Sequence, residues 1–353
     1  MKKVILLCVL ALILIPLTWV LFKPSPIDSV AWTPPPAPPM ADSFAPNEKL
    51  RDSELIAKGK VYGPEDVDID KDGVIYGGTQ DGKIVKVHPD SRVETWVKTG
   101  GRPLGLHFDA NGNLIVCDAY KGLLSINPAG EIQVLTNSAE GVPFKFTDDL
   151  DIASDGKIYF TDASSKWNQE AYMLDLFETR PYGRFMVYDP ATKQTTVLMR
   201  DMYFPNGVAL SQHEDFVLIN ETWRYRIWRY WLKGDLAETH DIFIDNLPGF
   251  PDGISSNRQG RFWVALPTPR NKKVDDMHPR AWLKNFAAKL PKFLQPKPVD
   301  YGFVLGLNEQ GEIVANLQDT QGDIVKEITS VQEHDGFIYL GSLHNNRFAR
   351  YKL

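Results

Sequence analysis

Six segments of this chain repeat one pattern, a short strand, a polar turn and a strand rich in aromatic and β-branched residues, and this repeat narrows the possible folds more than any other feature. The segments are 67–76, 106–116, 150–160, 208–218, 254–264 and 331–340. Turns such as Asp72-Gly73, Asn111-Gly112 and Asp155-Gly156 are strong hairpin signals, because both turn residues need positive φ. Third strands follow several units, as at 82–87 and 183–188. With turn positions at 73, 112, 156, 214, 260 and 336, the steps are 39, 44, 58, 46 and 76 residues, near the period of four-stranded propeller blades with insertions in the later units. The expectation is an all-β, six-bladed β-propeller. The strand-like stretch 54–62 precedes the first repeat and is placed to complete the last blade, which leaves no long edge unpaired. A β-sandwich built from similar hairpins is the alternative.

Ahead of the repeat, Met1-Lys2-Lys3 is followed by nineteen uncharged residues, 4–22. That length suits a helix crossing a hydrocarbon core of roughly 30 Å and exceeds the apolar region of a cleavable signal. Residues 1–23 are therefore read as a membrane signal-anchor, with Ser29-Val30-Ala31 as a weak alternative cleavage site. The lysines stay cytoplasmic, so the rest lies on the outer side, periplasmic in a bacterium. Residues 24–40 hold seven prolines and predict an extended spacer. The predicted organisation is anchor 1–23, Pro-rich linker 24–44 and propeller 45–353. A net charge of −6 argues against binding nucleic acid. The only cysteines, Cys8 and Cys117, leave no disulfide framework or CxxC zinc site. Motifs for serine hydrolases, zincins, P-loop NTPases and Rossmann enzymes are also missing.

The phase of the repeat exposes a candidate metal centre. Eight residues before each turn position stand Glu65, Leu104, Asp148, Asn206, Asp252 and Ile328. Four are oxygen donors, and equivalent residues just before the innermost strands of a propeller lie around its central channel. Three carboxylates at close quarters do not all stay ionised without a cation. With no Cys or His in this register, the donors are hard oxygens, which suit Ca²⁺ better than Zn²⁺ or copper, while Mg²⁺ prefers more water. Taken singly, each such residue more often satisfies turn backbone groups. One position further on, Asp66 and Asp149 offer a second, structural calcium site or support for the first.

Residues 45–353 resemble the strictosidine synthase-like and adipocyte plasma membrane-associated protein family, itself similar to paraoxonases, gluconolactonases and diisopropyl fluorophosphatase. The resemblance rests on Gly101-Arg102-Pro103-Leu104-Gly105, 118–123, 158–167, Phe204-Pro205-Asn206-Gly207-Val208, Gly249-Phe250-Pro251-Asp252 and Glu333-His334-Asp335-Gly336. It implies a six-bladed propeller, with a calcium at the channel mouth in the hydrolase members. By motif position Glu65, Asn206 and Asp252 match the ligands, and Asp148 stands where Asn is usual. Asp66 and Asp149 resemble the paraoxonase pair that holds a second calcium. Gly253 departs from a position that is often Asn, and no histidine dyad is placed. Amine-aldehyde condensation would need a glutamate near the last blade, where Glu333 is the candidate.

The expected function is a membrane-anchored, calcium-dependent hydrolase of lactones or aryl esters, with Asp252 and Glu65 as candidate catalytic residues. Calcium would polarise the carbonyl while Asp252 or a calcium-bound water attacks, and Glu65, Asp148 and Asn206 hold the ion. The alternative is a non-catalytic binding or scaffold propeller whose calcium is structural. His334 and His344 are candidate bases, although structural roles near turns are more common. The insertion at about 275–295 predicts an amphipathic helix of three turns ending at Pro291, with Trp282, Phe286 and Leu290 on one side and Arg280, Lys284, Lys289 and Lys292 interleaved. It would lie on a membrane, cap the channel or pack on the rim.

Overall fold

The computed structural model describes residues 22–353, and among these the chain forms six four-stranded antiparallel sheets, the blades of a six-bladed β-propeller. Each blade is a meander; in blade 2 the strands are Pro103–Phe108, Leu114–Asp118, Gly122–Ile126 and Ile132–Thr136. The turns fall where the sequence signals place them, but only the glycine of each pair takes positive φ, 79° at Gly112 and 86° at Gly156, while Asn111 and Asp155 do not. The fourth repeat has no glycine in its turn, and there Glu214 adopts φ of 55°. Its carboxylate compensates by accepting hydrogen bonds from Ser154 N and Oγ, both at 2.7 Å, which ties this turn to blade 3.

The ring closes as its sequence phase implies. Glu54–Ile56 is the outer strand of the last blade and pairs with Phe348–Lys352, with Leu55 opposite Ala349. Arg350 reinforces the junction with an ion pair to Glu54 at 2.7 Å. First and last segments thus share one sheet, and no long edge is left open. The second strands, such as Leu114–Asp118 and Phe216–Glu221, are buried along their whole length, which is why they read as continuous apolar runs. Neighbouring blades share the cores. Val74, Ile84 and Val97 of blade 1 pack with Leu106, Leu114 and Leu124 of blade 2.

Second strands in three blades end in a buried carboxylate, Asp118, Asp162 or Glu221, and the outer strand of blade 5 ends in another, Asp319. Asp118 accepts from Arg102 N at 2.9 Å, Asp162 from Phe146 N at 2.9 Å, Glu221 from Tyr203 N at 2.8 Å and Asp319 from Ile324 N at 2.8 Å. Buried charges without such partners would cost several kcal/mol, by order of magnitude, so these bonds fix the loops where the inner strands begin.

A second compact unit is distinct from the propeller and is made of residues 22–34, Ala171–Arg180 and Asn271–Lys297. It contains helices α1 (Tyr172–Glu178), α2 (Lys272–Met277) and α3 (Ala281–Ala287). The sequence reading has residues 24–34 in a free-standing spacer, whereas here they thread among these helices. Val30 N donates to Glu178 O and Trp32 N to His278 O, both at 3.0 Å, and Ile27 is buried. The insertion also differs from its predicted single helix. α3 stops at Ala287 and continues as i→i+3 turns, and Lys284, expected on a polar side, is fully buried. Its ammonium can be buried because it donates to Thr179 Oγ1 at 2.7 Å and to Val30 O. Trp282 is left facing outward. No helix of the described residues is long and apolar enough to cross a membrane, and the apolar run 4–22 lies, except for Phe22, outside them.

Candidate metal centre

In blades 2, 3, 4 and 6 the inner strand shifts register near its start, whereas Glu65 of blade 1 and Asp252 of blade 5 stand in extended chain just ahead of their inner strands. In blade 3, Thr147 pairs with Asp162 and Leu150 with Phe160, so Asp148 and Asp149 together face one residue, Thr161. Blade 4 repeats this with Asn206 and Gly207 opposite Asn220, and blade 2 with Leu104 and Gly105 opposite Cys117. Such bulges re-aim side chains that a regular ladder would send to alternate faces.

Blade-to-blade hydrogen bonds then lock the backbone of the donor residues. Thr161 Oγ1 donates to Asn206 O at 2.8 Å, Asn220 Nδ2 to Asp252 O, and Thr329 Oγ1 to Glu65 O at 2.7 Å. The Asn206 amide also donates to the Asp252 carboxylate. Glycine makes this spacing possible at the second position of the pair. A Cβ on Gly207 would lie 2.4 Å from Ile254 N and 2.5 Å from Asp252 O, and one on Gly253 would lie 2.5 Å from Thr329 O. An Asn at 253 therefore has no room in this chain. Replacing Gly207 by Ala should destabilise the protein by about 1–3 kcal/mol through forced separation of blades 4 and 5. Calorimetry of Gly207→Ala tests this; an unchanged melting temperature would show that the blades part without cost.

The acids share one field. Glu65, Asp66, Asp148, Asp149 and Asn206 are all buried, and Asp252 is half-buried. Burial pushes the Glu65 carboxyl well above its usual range, and the charges of Asp66, Asp148, Asp252 and Asp149 add to the shift. Asp148 is raised by burial and then by Asp252 and Asp149, and burial lifts Asp252 to about 8. Asp148 Oδ2 is buried with no hydrogen-bond partner. This arrangement of crowded acids and an unmatched oxygen suits a hard cation.

Below this level sits a grouping that the sequence reading missed in part. Asp66, His107 and Asp149 present donor atoms within 4.8 Å of one another. With Glu65, they line a cavity of about 10 Å³, the size of one water or ion. Asp66 Oδ2 accepts from Leu106 N at 2.9 Å and Asp149 Oδ2 from Val208 N at 3.1 Å, so each carboxylate bridges to the next blade. His107 Nδ1 lies 3.4 Å from Asp68 Oδ2. Burial works against charge on this imidazole, but Asp68 and then Asp66 outweigh it and lift it to about 10. At the other end of the inner strands, Arg258 of blade 5 donates to Asp151 of blade 3 at 2.6 Å.

The strictosidine synthase-like N-terminal model matches residues 42–87 and the strictosidine synthase model residues 148–235. Adipocyte plasma membrane-associated protein of Rattus norvegicus is 37% identical over 355 residues, spanning 93% of both chains. Protein STRICTOSIDINE SYNTHASE-LIKE 6 of Arabidopsis thaliana is 36% identical over 339 residues, spanning 93% of this chain and 88% of that one. The chain belongs to the strictosidine synthase-like family. Among solved structures, a gluconolactonase of Xanthomonas campestris superposes with a TM-score of 0.62 at 16% identity, covering 94% of this chain and 99% of that one. Regucalcin of Agrobacterium tumefaciens, titled a calcium-binding protein, gives 0.61 at 12%, covering 84% and 92%. These two share the propeller fold.

In this strictosidine synthase-like chain, Glu333 is far from the metal register. It lies near the end of Ile328–His334, and accepts from the Trp263 indole at 2.5 Å and from Asn257 Nδ2 at 3.3 Å. His334 stands 3.4 Å from Asp335, and His344 bonds Glu327 at 2.7 Å. Thr161, Asn220, Thr329 and His107 were not singled out from sequence. The first two face the bulges, so counting across the second strands from each donor pair would have found them.

Proposed function

We propose that the chain is a calcium-dependent hydrolase of lactones or aryl esters, with the ion held by Glu65, Asp148, Asn206 and Asp252. The observation that carries this reading is electrostatic: the buried Glu65 carboxyl is raised by Asp148 and Asp252, Asp148 by Asp252, and Asn206 donates to Asp252, so residues of blades 1, 3, 4 and 5 act on one another while Asp148 Oδ2 is left unmatched. The gluconolactonase and regucalcin likenesses support it at the level of fold. Bound calcium supplies a fixed positive charge where negative charge develops on an acyl oxygen.

The residues themselves divide the work. Glu65 and Asp148 contribute charge to hold the ion. Asn206 orients Asp252 through its amide, and Asn220 fixes the Asp252 carbonyl. Hydrolysis adds hydroxide to the acyl carbon, breaks the acyl C–O bond and gives a proton to the leaving oxygen. In this reading Asp252 would take the proton of the incoming water and return it to that oxygen. Asp66 and Asp149, with His107, are the donors for a second ion at the lower level. The membrane anchor at 1–23, with the propeller on the non-cytoplasmic side, belongs to the same proposal. It is supported by the uncharged run 4–22 and by relatives named for plasma membrane association.

The purified chain, offered phenyl acetate and a panel of γ- and δ-lactones, should turn over at least one of them, with activity lost to a chelator and restored by calcium. A calcium-dependent rise in melting temperature without turnover of any ester would instead favour the scaffold reading, which the relatives' names, silent on activity, keep in view. Condensation of an amine with an aldehyde has no support from Glu333, whose carboxylate is committed to Trp263 and Asn257.

A further inference from the structure

The helical unit differs from the propeller in charge and in what it leaves exposed. Its described residues, 22–34, 171–180 and 271–297, carry nine basic and five acidic side chains in a chain of net charge −6. Between 280 and 297 there is no acidic residue, and of the five basic ones Lys284 is buried while Arg280, Lys292 and Lys297 are exposed and Lys289 is half-buried. On the same stretch Trp282, Phe293 and Leu294 are 69%, 72% and 57% exposed. Large apolar side chains rarely stay in water together without a partner surface.

Chain connectivity says which surface. The uncharged run ends at Phe22, itself 87% exposed. Ser29 Oγ then lies 3.0 Å from Ala281 O and 2.7 Å from Asn285 Oδ1. Seven residues of chain span at most about 25 Å, so α3, with Trp282 in its first turn, is held close to where the run ends. Arg180 donates to Asp28, and Lys284 to Val30 O, so this segment is fastened to α1 and α3.

We propose that the face carrying Trp282, Phe293 and Leu294 is a membrane-surface contact that seats in the headgroup region of a bilayer containing anionic lipid. The inference rests on the reading of 1–23 as an anchor. The apolar side chains enter the boundary between headgroups and acyl chains, and the lysines that flank them meet the anionic headgroups. Anchor and face together supply two attachments, which fixes the unit's orientation to the bilayer where a lone anchor would let it swivel.

The test uses the full chain, with Cys8→Ser, reconstituted into vesicles of phosphatidylcholine with 30% phosphatidylglycerol (about one anionic lipid in three). An environment-sensitive fluorophore is placed through Leu294→Cys and, as a control, through Tyr62→Cys on the propeller, a site 53% exposed; Cys117 is buried and does not compete for label. At 294 the emission should shift to the blue and be quenched at least about twofold by lipids spin-labelled near the headgroup. At 62 it should do neither. Quenching at 294 should weaken in pure phosphatidylcholine and in Lys289→Gln/Lys292→Gln/Lys297→Gln. A chain that floats with the vesicles while the 294 probe behaves like the control overturns the surface contact alone. A 294 probe that answers to an added ester and not to lipid also overturns it, in favour of a lid. A chain that fails to float overturns the anchor and this contact together.

Discussion

Calcium added to the chelated protein will raise its melting temperature by about 5–10 °C at pH 8 and by much less at pH 5. The sign follows from the acids at the channel mouth. In the unfolded chain their carboxyls titrate near 4. In the folded chain without an ion, burial and mutual repulsion raise Glu65 and Asp148 well above that, and burial lifts Asp252 to about 8. The folded state therefore holds more protons than the unfolded one between these limits. The stability these groups contribute is complete below about pH 4 and is lost as pH rises through the folded values. Calcium and protons compete for the same oxygens, so the ion gives most where the protons have left. Calorimetry at pH 5, 6.5 and 8, with calcium or with chelator, reads the effect. Asp148→Asn removes one of the crowded charges. It should raise the melting temperature of the chelated protein at pH 8 and shrink the calcium gain. A chelated protein that grows more stable from pH 5 to pH 8, or a calcium shift equal at both ends, would sink the shared-field account.

Local chemistry decided how much of this was legible beforehand. Turn residues and β-branched runs are short-range signals, so the hairpins, their count and the closing role of the strand at 54–56 could be read off the chain. The register of Glu65, Asp148, Asn206 and Asp252 was legible because each stands eight residues before the turn of its own hairpin, at or just ahead of the inner strand, whether or not that strand carries a bulge. His107 was not, because it comes from blade 2, whose own register position is Leu104; only the closed ring brings it beside Asp66 and Asp149. Lys284 misled for a related reason. Helical periodicity assigns a lysine to water, and nothing local reveals that Val30 O and Thr179 Oγ1, 254 and 105 residues away, await its ammonium. The same burial turns Trp282 outward and creates the face proposed to meet lipid.

Asp252→Asn should lower kcat/KM for the best ester or lactone by about a thousandfold or more while leaving more than half of the calcium-induced thermal shift. The amide keeps an oxygen for the ion and nearly the same shape, but it has no basic oxygen for a water proton, so binding and chemistry separate. Glu65→Gln should do the reverse. A ligand charge is lost, so apparent calcium affinity falls at least about tenfold, and saturating calcium recovers most of kcat. The contrast between the variants matters more than either loss, because a residue that only braces the mouth would reduce affinity, stability and turnover together. Asn220→Ala serves as that comparison: it removes the donor to Asp252 O without touching a carboxylate. Turnover by Asp252→Asn within about threefold of the parent would take Asp252 out of the chemistry and leave it a ligand. If instead no ester is cleaved by any form while the calcium shifts follow the pattern above, the four donors form a structural clasp at the propeller's mouth.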